Sequence, residues 1–305
     1  MAIDLCSDGS LVASVGADVT VRIWNANTGE QIHLLLGHTD PTVAVSFSPD
    51  CKYVASSSYD GTLRIWDVGT GQQVHILESP VTARSLTFSP DGAYLLAEAD
   101  RWAQVWNTKN WQQSYKLTLD YLEKALFSPN GHFIRIIGGR MATILNRSTG
   151  LPFREIEVGW GSAAFSSDSR CLVTSSSNGT IHLWDVKTGR ILLSLDGPTD
   201  QVDVVVFGLN DTRVVSAGRD KTIRIRSVET GQQLFCLEGH GKTVHPVFNF
   251  ANIEQVLNIG DNKICLCDLT TGKELHVWDI SSHERRGSGT GAGIRAVKVA
   301  PDVVS

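Results

Sequence analysis

The chain has 305 residues, with 27 Lys and Arg against 32 Asp and Glu, which gives a formal net charge of −5. A protein dedicated to nucleic acid normally carries a basic excess that neutralises phosphates, so this charge argues against that class. Hydrophobic residues make up 42% of the chain, which is ample for a packed core and excludes global disorder. No apolar run reaches the roughly 18–20 residues of a membrane-spanning helix, and the start lacks the basic and apolar regions of a secretory signal.

Six cysteines are scattered along the chain, at positions 6, 51, 171, 236, 265 and 267. None has the local spacing of a disulfide framework or of a zinc site. We therefore expect reduced structural thiols, a cytoplasmic protein (with a nuclear location also possible), and no metal or cofactor. Nine dispersed histidines suggest no metal-binding pair either.

A unit of about 40 residues recurs along the chain. Its strongest marker is a Trp, or the residue in register with it, and successive markers are 39–42 residues apart: Trp24, Trp66, Trp106, Leu145, Trp184, Arg226 and Cys267. A turn sequence such as the FSPD at 47–50 precedes each marker. Seven copies account for most of the chain, which predicts one repeat domain rather than two domains of average size.

The second copy shows the predicted elements of one unit in chain order. Alternating or apolar segments at Thr42–Phe47, Tyr53–Ser58, Thr62–Trp66 and Gln73–Leu77 are separated by turn sequences rich in Pro, Asp and Gly. No helical periodicity intervenes, so the unit is a meander of four short strands. One such sheet cannot bury both faces alone, and packing sheets against one another around an axis buries them.

Gly37-His38, the FSPD turn, Ser56, Asp60 and Trp66-Asp67 of the second copy together resemble the WD-repeat family of β-propellers. The resemblance extends over roughly residues 2–279. It implies an all-β fold, a seven-bladed β-propeller of four-stranded antiparallel blades, in a single domain. The predicted blades are 1–36, 37–78, 79–118, 119–157, 158–196, 197–238 and 239–279, and residues 280–305 form a Gly/Ser linker with an extra inner strand.

The family also implies a structural tetrad within a blade, which here consists of His38, Ser56, Asp60 and Trp66. A carboxylate in a tight turn would accept from the imidazole, and the hydroxyl and indole N–H would complete the chain of hydrogen bonds. The other copies are incomplete, and the fourth has lost every member. The first copy keeps Ser14, Asp18 and Trp24; the fifth keeps Thr174, Asn178 and Trp184; and the sixth keeps Ser216 and Asp220.

His38, Ser56 and Asp60 also have the residue types of a nucleophilic triad. Ser56 lies in the middle of a predicted strand, however, and no G-x-S-x-G turn surrounds it to expose its hydroxyl. The set recurs in degraded form in other copies, as a structural motif would. We therefore expect no enzyme activity from these residues.

Propellers of this family bind proteins or peptides on the face formed by the Asp turns and by the loops that enter the inner strands. Aromatic residues and Arg are common at interface hot spots, and Trp102, which we expect to be exposed, is the most conspicuous of those placed there. The predicted partner-binding residues are Tyr59, Arg84, Arg101, Trp102, Tyr121, Glu123, Arg140, Trp160, Asp203 and Arg219.

Residues 296–302 match residues 2–8 in pattern, so the chain has one inner strand more than seven blades need. Either this last strand pairs in or beside the first blade and closes the ring of seven, or it begins an eighth repeat of a longer array.

The sequence thus predicts a non-catalytic, monomeric scaffold that binds a protein or peptide. Two alternatives within the binding class are the recognition module of a larger nucleotide-binding signalling receptor, and an RNA or phospholipid binder that uses Arg84, Arg140 and Arg219. A propeller enzyme would need an acid and a base near the central channel. Glu123 and Asp203 are the only candidates that the sequence offers for these roles.

Overall fold

The computed structural model describes residues 2–79, 82–158, 161–196, 200–237, 245–247, 255–259, 263–268 and 270–279. These residues form 28 β-strands and no helix, arranged as seven four-stranded antiparallel sheets in which each strand pairs with its neighbour in sequence. The predicted all-β fold of seven four-stranded blades is therefore confirmed. No helix in the described part of the chain is long and apolar enough to cross a membrane. The predicted extra strand and ring closure in residues 280–305 lie outside the described residues.

The chain divides into two compact units, and the division falls within the fourth sheet. The first unit holds the first three sheets, whose strands are β1 Ala2–Leu5, β2 Leu11–Val15, β3 Val21–Asn25, β4 Gln31–Leu35, β5 Thr42–Phe47, β6 Tyr53–Ser58, β7 Thr62–Asp67, β8 Gln73–Glu78, β9 Ser85–Phe88, β10 Tyr94–Ala99, β11 Trp102–Asn107 and β12 Gln112–Thr118. It also holds most of the fourth sheet, with β13 Lys124–Phe127, β14 Phe133–Gly138, β15 Met141–Asn146 and β16 Pro152–Glu157.

The second unit holds the last three sheets. Their strands are β17 Ala163–Phe165, β18 Cys171–Ser175, β19 Thr180–Asp185, β20 Ile191–Asp196, β21 Val202–Gly208, β22 Arg213–Gly218, β23 Ile223–Ser227, β24 Gln233–Leu237, β25 His245–Val247, β26 Gln255–Ile259, β27 Lys263–Asp268 and β28 Glu274–Asp279.

The turn between the first and second strands of a sheet is stabilised by its own side chains. In the second sheet Ser48 Oγ donates to Asp50 Oδ1 at 2.7 Å and accepts from the backbone N–H of Tyr53 at 2.9 Å. The same Ser-to-Asp or Ser-to-Asn bond recurs at residues 89–91, 128–130 and 166–168. A short polar side chain that satisfies the backbone of a turn explains why the Ser-Pro-Asp pattern marks the repeat.

Within the first unit, neighbouring sheets share their core. One cluster joins side chains of the second and third sheets, among them Leu63, Ile65, Leu95 and Trp106, all at most 3% exposed. Polar groups reinforce this packing, since the buried Ser57 Oγ donates to the carbonyl of Ala83 at 2.7 Å. A backbone acceptor that would otherwise be buried unpaired is thereby satisfied.

Cys6 and Cys51 form a disulfide, with their Cα atoms 5.7 Å apart. The expectation that all six cysteines are reduced is therefore wrong for this pair. The two residues are 45 positions apart, close to one repeat, and occupy the turns after β1 and β5. Equivalent turns of adjacent sheets lie side by side, so the repeat period, rather than a local Cys spacing, brings the sulfurs together.

Candidate partner-binding site

The tetrad of the second sheet is present as the resemblance implies. His38 Nδ1 lies 2.8 Å from Asp60 Oδ2, and His38 Nε2 lies 2.8 Å from Ser56 Oγ. Trp66 Nε1 donates to the same hydroxyl at 2.8 Å. The donors run in one direction when the imidazole is neutral: indole N–H to hydroxyl, hydroxyl to Nε2, and Nδ1–H to carboxylate.

Burial sets the protonation of this chain of hydrogen bonds. It lowers the pKa of His38, and the hydrogen bond and charge of Asp60 raise it less than burial lowers it. Burial raises the pKa of Asp60, but hydrogen bonds from Thr62, His38 and Thr39 outweigh it and bring this pKa to about 2. A neutral imidazole beside an ionised carboxylate is the pattern of a satisfied structural pair.

This geometry does not suit nucleophilic catalysis at Ser56. The Ser56 side chain is completely buried and His38 is only 6% exposed, so a substrate has no path to the hydroxyl. The hydroxyl already donates to one partner and accepts from another, and its role here is to hold the segment before β5 against β7.

In sheets that lack the His, the Trp keeps its bond to the Ser or Thr where both residues are present, and the Asp of the turn takes a different partner. Trp24 Nε1 still donates to Ser14 Oγ, and Trp184 Nε1 to Thr174 Oγ1, each at 2.8 Å. In the first sheet the Asp of the turn pairs instead with an Arg four residues later, Asp18 with Arg22 at 2.7 Å. Asp220 and Arg224 of the sixth sheet repeat this pairing at 3.1 Å.

On the face formed by the Asp turns of the first unit, Arg84 is the connecting residue. Its guanidinium pairs with the carboxylate of Asp100, in the Asp turn of the third sheet. It also donates to the carbonyl oxygens of Leu122 at 2.5 Å and Glu123 at 3.2 Å, in the loop that enters the fourth sheet. One side chain therefore fixes the Asp turn of one sheet to the entry loop of the next.

Two tyrosines of this face are exposed on fixed backbone. Tyr59 is 65% exposed, and its N–H donates to the carbonyl of Pro41 at 3.1 Å. Tyr121 is 49% exposed and is followed directly by Leu122, which is fully buried and donates its N–H to Asp100. Arg101 and Glu123 are exposed beside them.

Trp102 does not belong to this surface. Only 5% of it is exposed, and it belongs to the core cluster that includes Ala83 and Ala99. The expectation of an exposed Trp102 is wrong because β11 begins at this residue and turns its ring inward. The ammonium of Lys116 lies over that ring, 5.4 Å from its centroid, and covers it from solvent.

The remaining predicted residues belong to the second unit, where the structure describes three of them. Arg140, Asp203 and Arg219 are exposed, and Arg219 Nε lies 3.5 Å from Asp203 Oδ1. Trp160 lies outside the described residues. Arg84 and Arg219 are each engaged by a carboxylate, which reduces their attraction for the phosphates of RNA or phospholipid. Asp203 is likewise committed to an ion pair, and Glu123 belongs to the other unit.

Within the described part of the chain, one group of potential metal ligands is close enough to share an ion: Cys6, Asp8 and Cys51. Its two sulfur atoms are bonded to each other, so neither offers a thiolate.

Seven four-stranded antiparallel meanders and a His-Ser-Asp-Trp tetrad define the class of β-propellers built from WD repeats. The chain belongs to the WD-repeat family: the family profile described as "WD domain, G-beta repeat" matches residues 29–67, 71–107, 160–185 and 189–227. These four matches cover strands of the second, third, fifth and sixth sheets and the last strand of the first, while the fourth and seventh sheets follow from register and structure alone.

The chain is also similar to individual proteins and to a solved structure. The chain is 29% identical over 131 residues to WD repeat and SOCS box-containing protein 1 of Danio rerio, covering 43% of this chain and 29% of that protein. It is 27% identical over 226 residues to eukaryotic translation initiation factor 3 subunit I of Scheffersomyces stipitis, covering 70% and 58%. The crystal structure of the computationally designed Ika8 protein matches at 26% identity with a TM-score of 0.72, covering 88% of this chain and 84% of Ika8. The chain thus spans well under two thirds of both natural relatives.

Proposed function

We propose that this chain is a non-catalytic scaffold that binds a protein or peptide partner on the face of its Asp turns. WD-repeat proteins generally act as protein-interaction scaffolds, and the relatives include one named as a subunit of a translation initiation factor. The proposal that the chain is the recognition module of a larger nucleotide-binding signalling receptor stays a prediction.

The observation that carries the proposal is the pair of exposed tyrosines on this face, Tyr121 next to the Arg84 network and Tyr59 in the Asp turn of the second sheet. Exposed aromatic side chains on an already ordered backbone lose little conformational freedom on binding, which is the property of interface hot spots. Arg84 orders the loop of Tyr121 by joining it to the turn at Asp100. The hydrogen bond to the carbonyl of Pro41 fixes the backbone of Tyr59. Tyr59 and Tyr121 are therefore the residues on which we expect a partner to dock.

The test begins with affinity purification and mass spectrometry to identify a partner, followed by calorimetric titration of the purified pair. Tyr59→Ala and Tyr121→Ala should each weaken binding by about thirtyfold or more, since truncating a hot spot costs about 2 kcal/mol or more. Ile76→Ala is the matched control, because Ile76 is 50% exposed on the outer strand β8. Equal affinity of all three variants for the partner would show that this face is not the binding surface.

A further inference from the structure

A cavity of about 450 Å³ lies between the second and third sheets, at the end of the strands opposite the Asp turns. Its lining comes from the Ser-Pro-Asp turns of both sheets and from the last turn of the third, and it includes Pro49, Asp50, Tyr53, Phe88, Asp91 and Trp111. We refer to it as the aromatic cavity. All of these residues belong to the first unit.

Trp111 occupies a backbone position that the repeat reserves for glycine. Six other repeats end this turn with Gly29, Gly71, Gly150, Gly189, Gly231 and Gly272, all with φ of 69–73°. Trp111 adopts the same left-handed conformation, with φ of 55°. A bulky side chain is rare in this region, and such strain clusters at functional sites.

The indole ring of Trp111 is held by three other rings. Tyr53 and Phe88 meet it edge to face, with centroids 6.1 Å and 6.5 Å away, and His75 lies against it at 5.4 Å. In the second repeat the equivalent glycine, Gly71, packs so closely on the His33 ring that an added Cβ would come within 2.7 Å of it. Where the second repeat has a glycine packed tightly on a ring, the third repeat therefore has a Trp side chain that forms one wall of the cavity.

Two carboxylates complete the lining, and none of the described residues that line the cavity is Lys, Arg or His. Asp50 and Asp91 stand in equivalent turns, with side chains 52% and 47% exposed. Their oxygens are already engaged: Asp50 accepts from Ser48 and Lys52, and Asp91 accepts from Ser89, Ala93 and Arg147. Lys52 and Arg147, which partner these carboxylates, are not part of the lining.

We propose that the aromatic cavity binds the trimethylammonium head of a methylated lysine side chain on a partner protein. Aromatic faces attract a cation through their quadrupoles. Lys52 and Arg147, whose charges balance those of the two carboxylates, do not line the cavity and so place no positive charge in its wall. A trimethylammonium group has no N–H that needs an acceptor, which suits a lining whose two carboxylates already accept hydrogen bonds from neighbouring donors. An unmodified ammonium would enter with its donors unpaired and would lose its strong hydration.

The test uses three soluble probes: Nα-acetyl-Nε-trimethyllysine methylamide, its unmodified lysine counterpart, and the neutral analogue in which a tert-butyl group replaces the trimethylammonium group. Titrations follow the indole ¹⁵N–H resonances of the protein by NMR. The trimethyllysine probe should bind at least tenfold more tightly than either of the others and should shift the Trp111 resonance, which Trp111→Gly identifies. Equal binding of the tert-butyl analogue, or tighter binding of unmodified lysine, would overturn the proposal.

Trp111→Gly is also the decisive variant, because it restores the residue that six other repeats carry and so retains the turn. It should abolish binding of the trimethyllysine probe while leaving the circular dichroism spectrum and cooperative unfolding intact. Phe153→Ala, which truncates an exposed aromatic residue of β16 outside the cavity lining, is the matched control and should bind the probe as the unchanged protein does. Retention of binding by Trp111→Gly would exclude this cavity as the site.

Discussion

Asp60 Oδ2 lies 2.8 Å from His38 Nδ1 and 3.1 Å from the backbone nitrogen of Thr39, so one carboxylate oxygen joins the segment before β5 to the turn between β6 and β7. The side chain of His38 is completely buried in this arrangement, and that of Asp60 is 5% exposed. The tetrad is therefore a local clamp on the second sheet. Its contribution to the free energy of unfolding can be compared with that of the exposed Asp18–Arg22 ion pair at the same position of the first sheet.

Asp60→Ala should lower the free energy of unfolding by about 1–3 kcal/mol, because it leaves the buried Nδ1–H of His38 unpaired and removes the acceptor of the exposed Thr39 N–H. Asp18→Ala is the matched control: Asp18 occupies the equivalent turn but is 52% exposed and pairs with a partly exposed Arg22. An exposed ion pair contributes about 0–1 kcal/mol, so its loss should be small. Urea denaturation of both variants measures the difference, and equal effects would contradict a clamping role for the tetrad.

The tetrad also makes the free energy of unfolding fall in acid, over two pH ranges, one set by His38 and one by Asp60. The folded pKa of His38 lies below the ordinary 6.5 because of burial, so the unfolded chain binds a proton more readily and stability declines as the pH falls below about 6.5. The folded pKa of Asp60 is about 2, below its ordinary 3.8, so its contribution is complete above about 4 and is lost as the pH falls towards 2. Urea midpoints measured between pH 8 and pH 3 should show both declines.

Asp60→Asn separates the two windows, because an amide does not titrate. The variant should lose the decline below pH 4 that the carboxylate causes, while the decline below pH 6.5 remains. A variant whose stability follows that of the unchanged protein through the lower window would assign the acid sensitivity to other carboxylates.

The disulfide between Cys6 and Cys51 should stabilise the fold by about 2–4 kcal/mol, since it closes a loop of 45 residues in the unfolded chain. Denaturation with and without dithiothreitol measures this contribution. Cys51→Ser should unfold at the lower denaturant concentration in both conditions. Cys171→Ser, which removes a half-buried free thiol, should keep the sensitivity to dithiothreitol. Two free thiols at positions 6 and 51 in the purified, unreduced protein would contradict the pairing.

Much of the fold could be predicted because the information is local and repeated. The strands Thr42–Phe47 and Tyr53–Ser58 were delimited from alternation and turn residues, and the structure gives the same bounds. The fourth sheet lacks all tetrad residues yet has four strands, because its Ser128 turn and its Gly150 turn are those of the other repeats. Register alone was therefore enough to place it.

The site was less predictable, because it depends on contacts between repeats. The turn residues beside Trp102 in the sequence predict exposure, whereas the packing of β11 decides its burial. Local cysteine spacing does not reveal the disulfide, because the repeat period brings Cys6 and Cys51 together. Trp111 carried a detectable signal, a Trp aligned with six glycines, but only the structure shows which rings surround it.

Two tryptophans of the first unit should respond differently to the same substitution. Trp66 Nε1 donates to Ser56, so Trp66→Phe should lower the free energy of unfolding by about 1–2 kcal/mol. Trp102 Nε1 is buried and finds no hydrogen-bond partner in the described structure, so Trp102→Phe removes an unpaired donor and should leave stability unchanged or raise it by up to about 1 kcal/mol. Urea denaturation compares the variants. A loss at Trp102 as large as that at Trp66 would reveal a hydrogen bond, through water or another group, to the Trp102 indole.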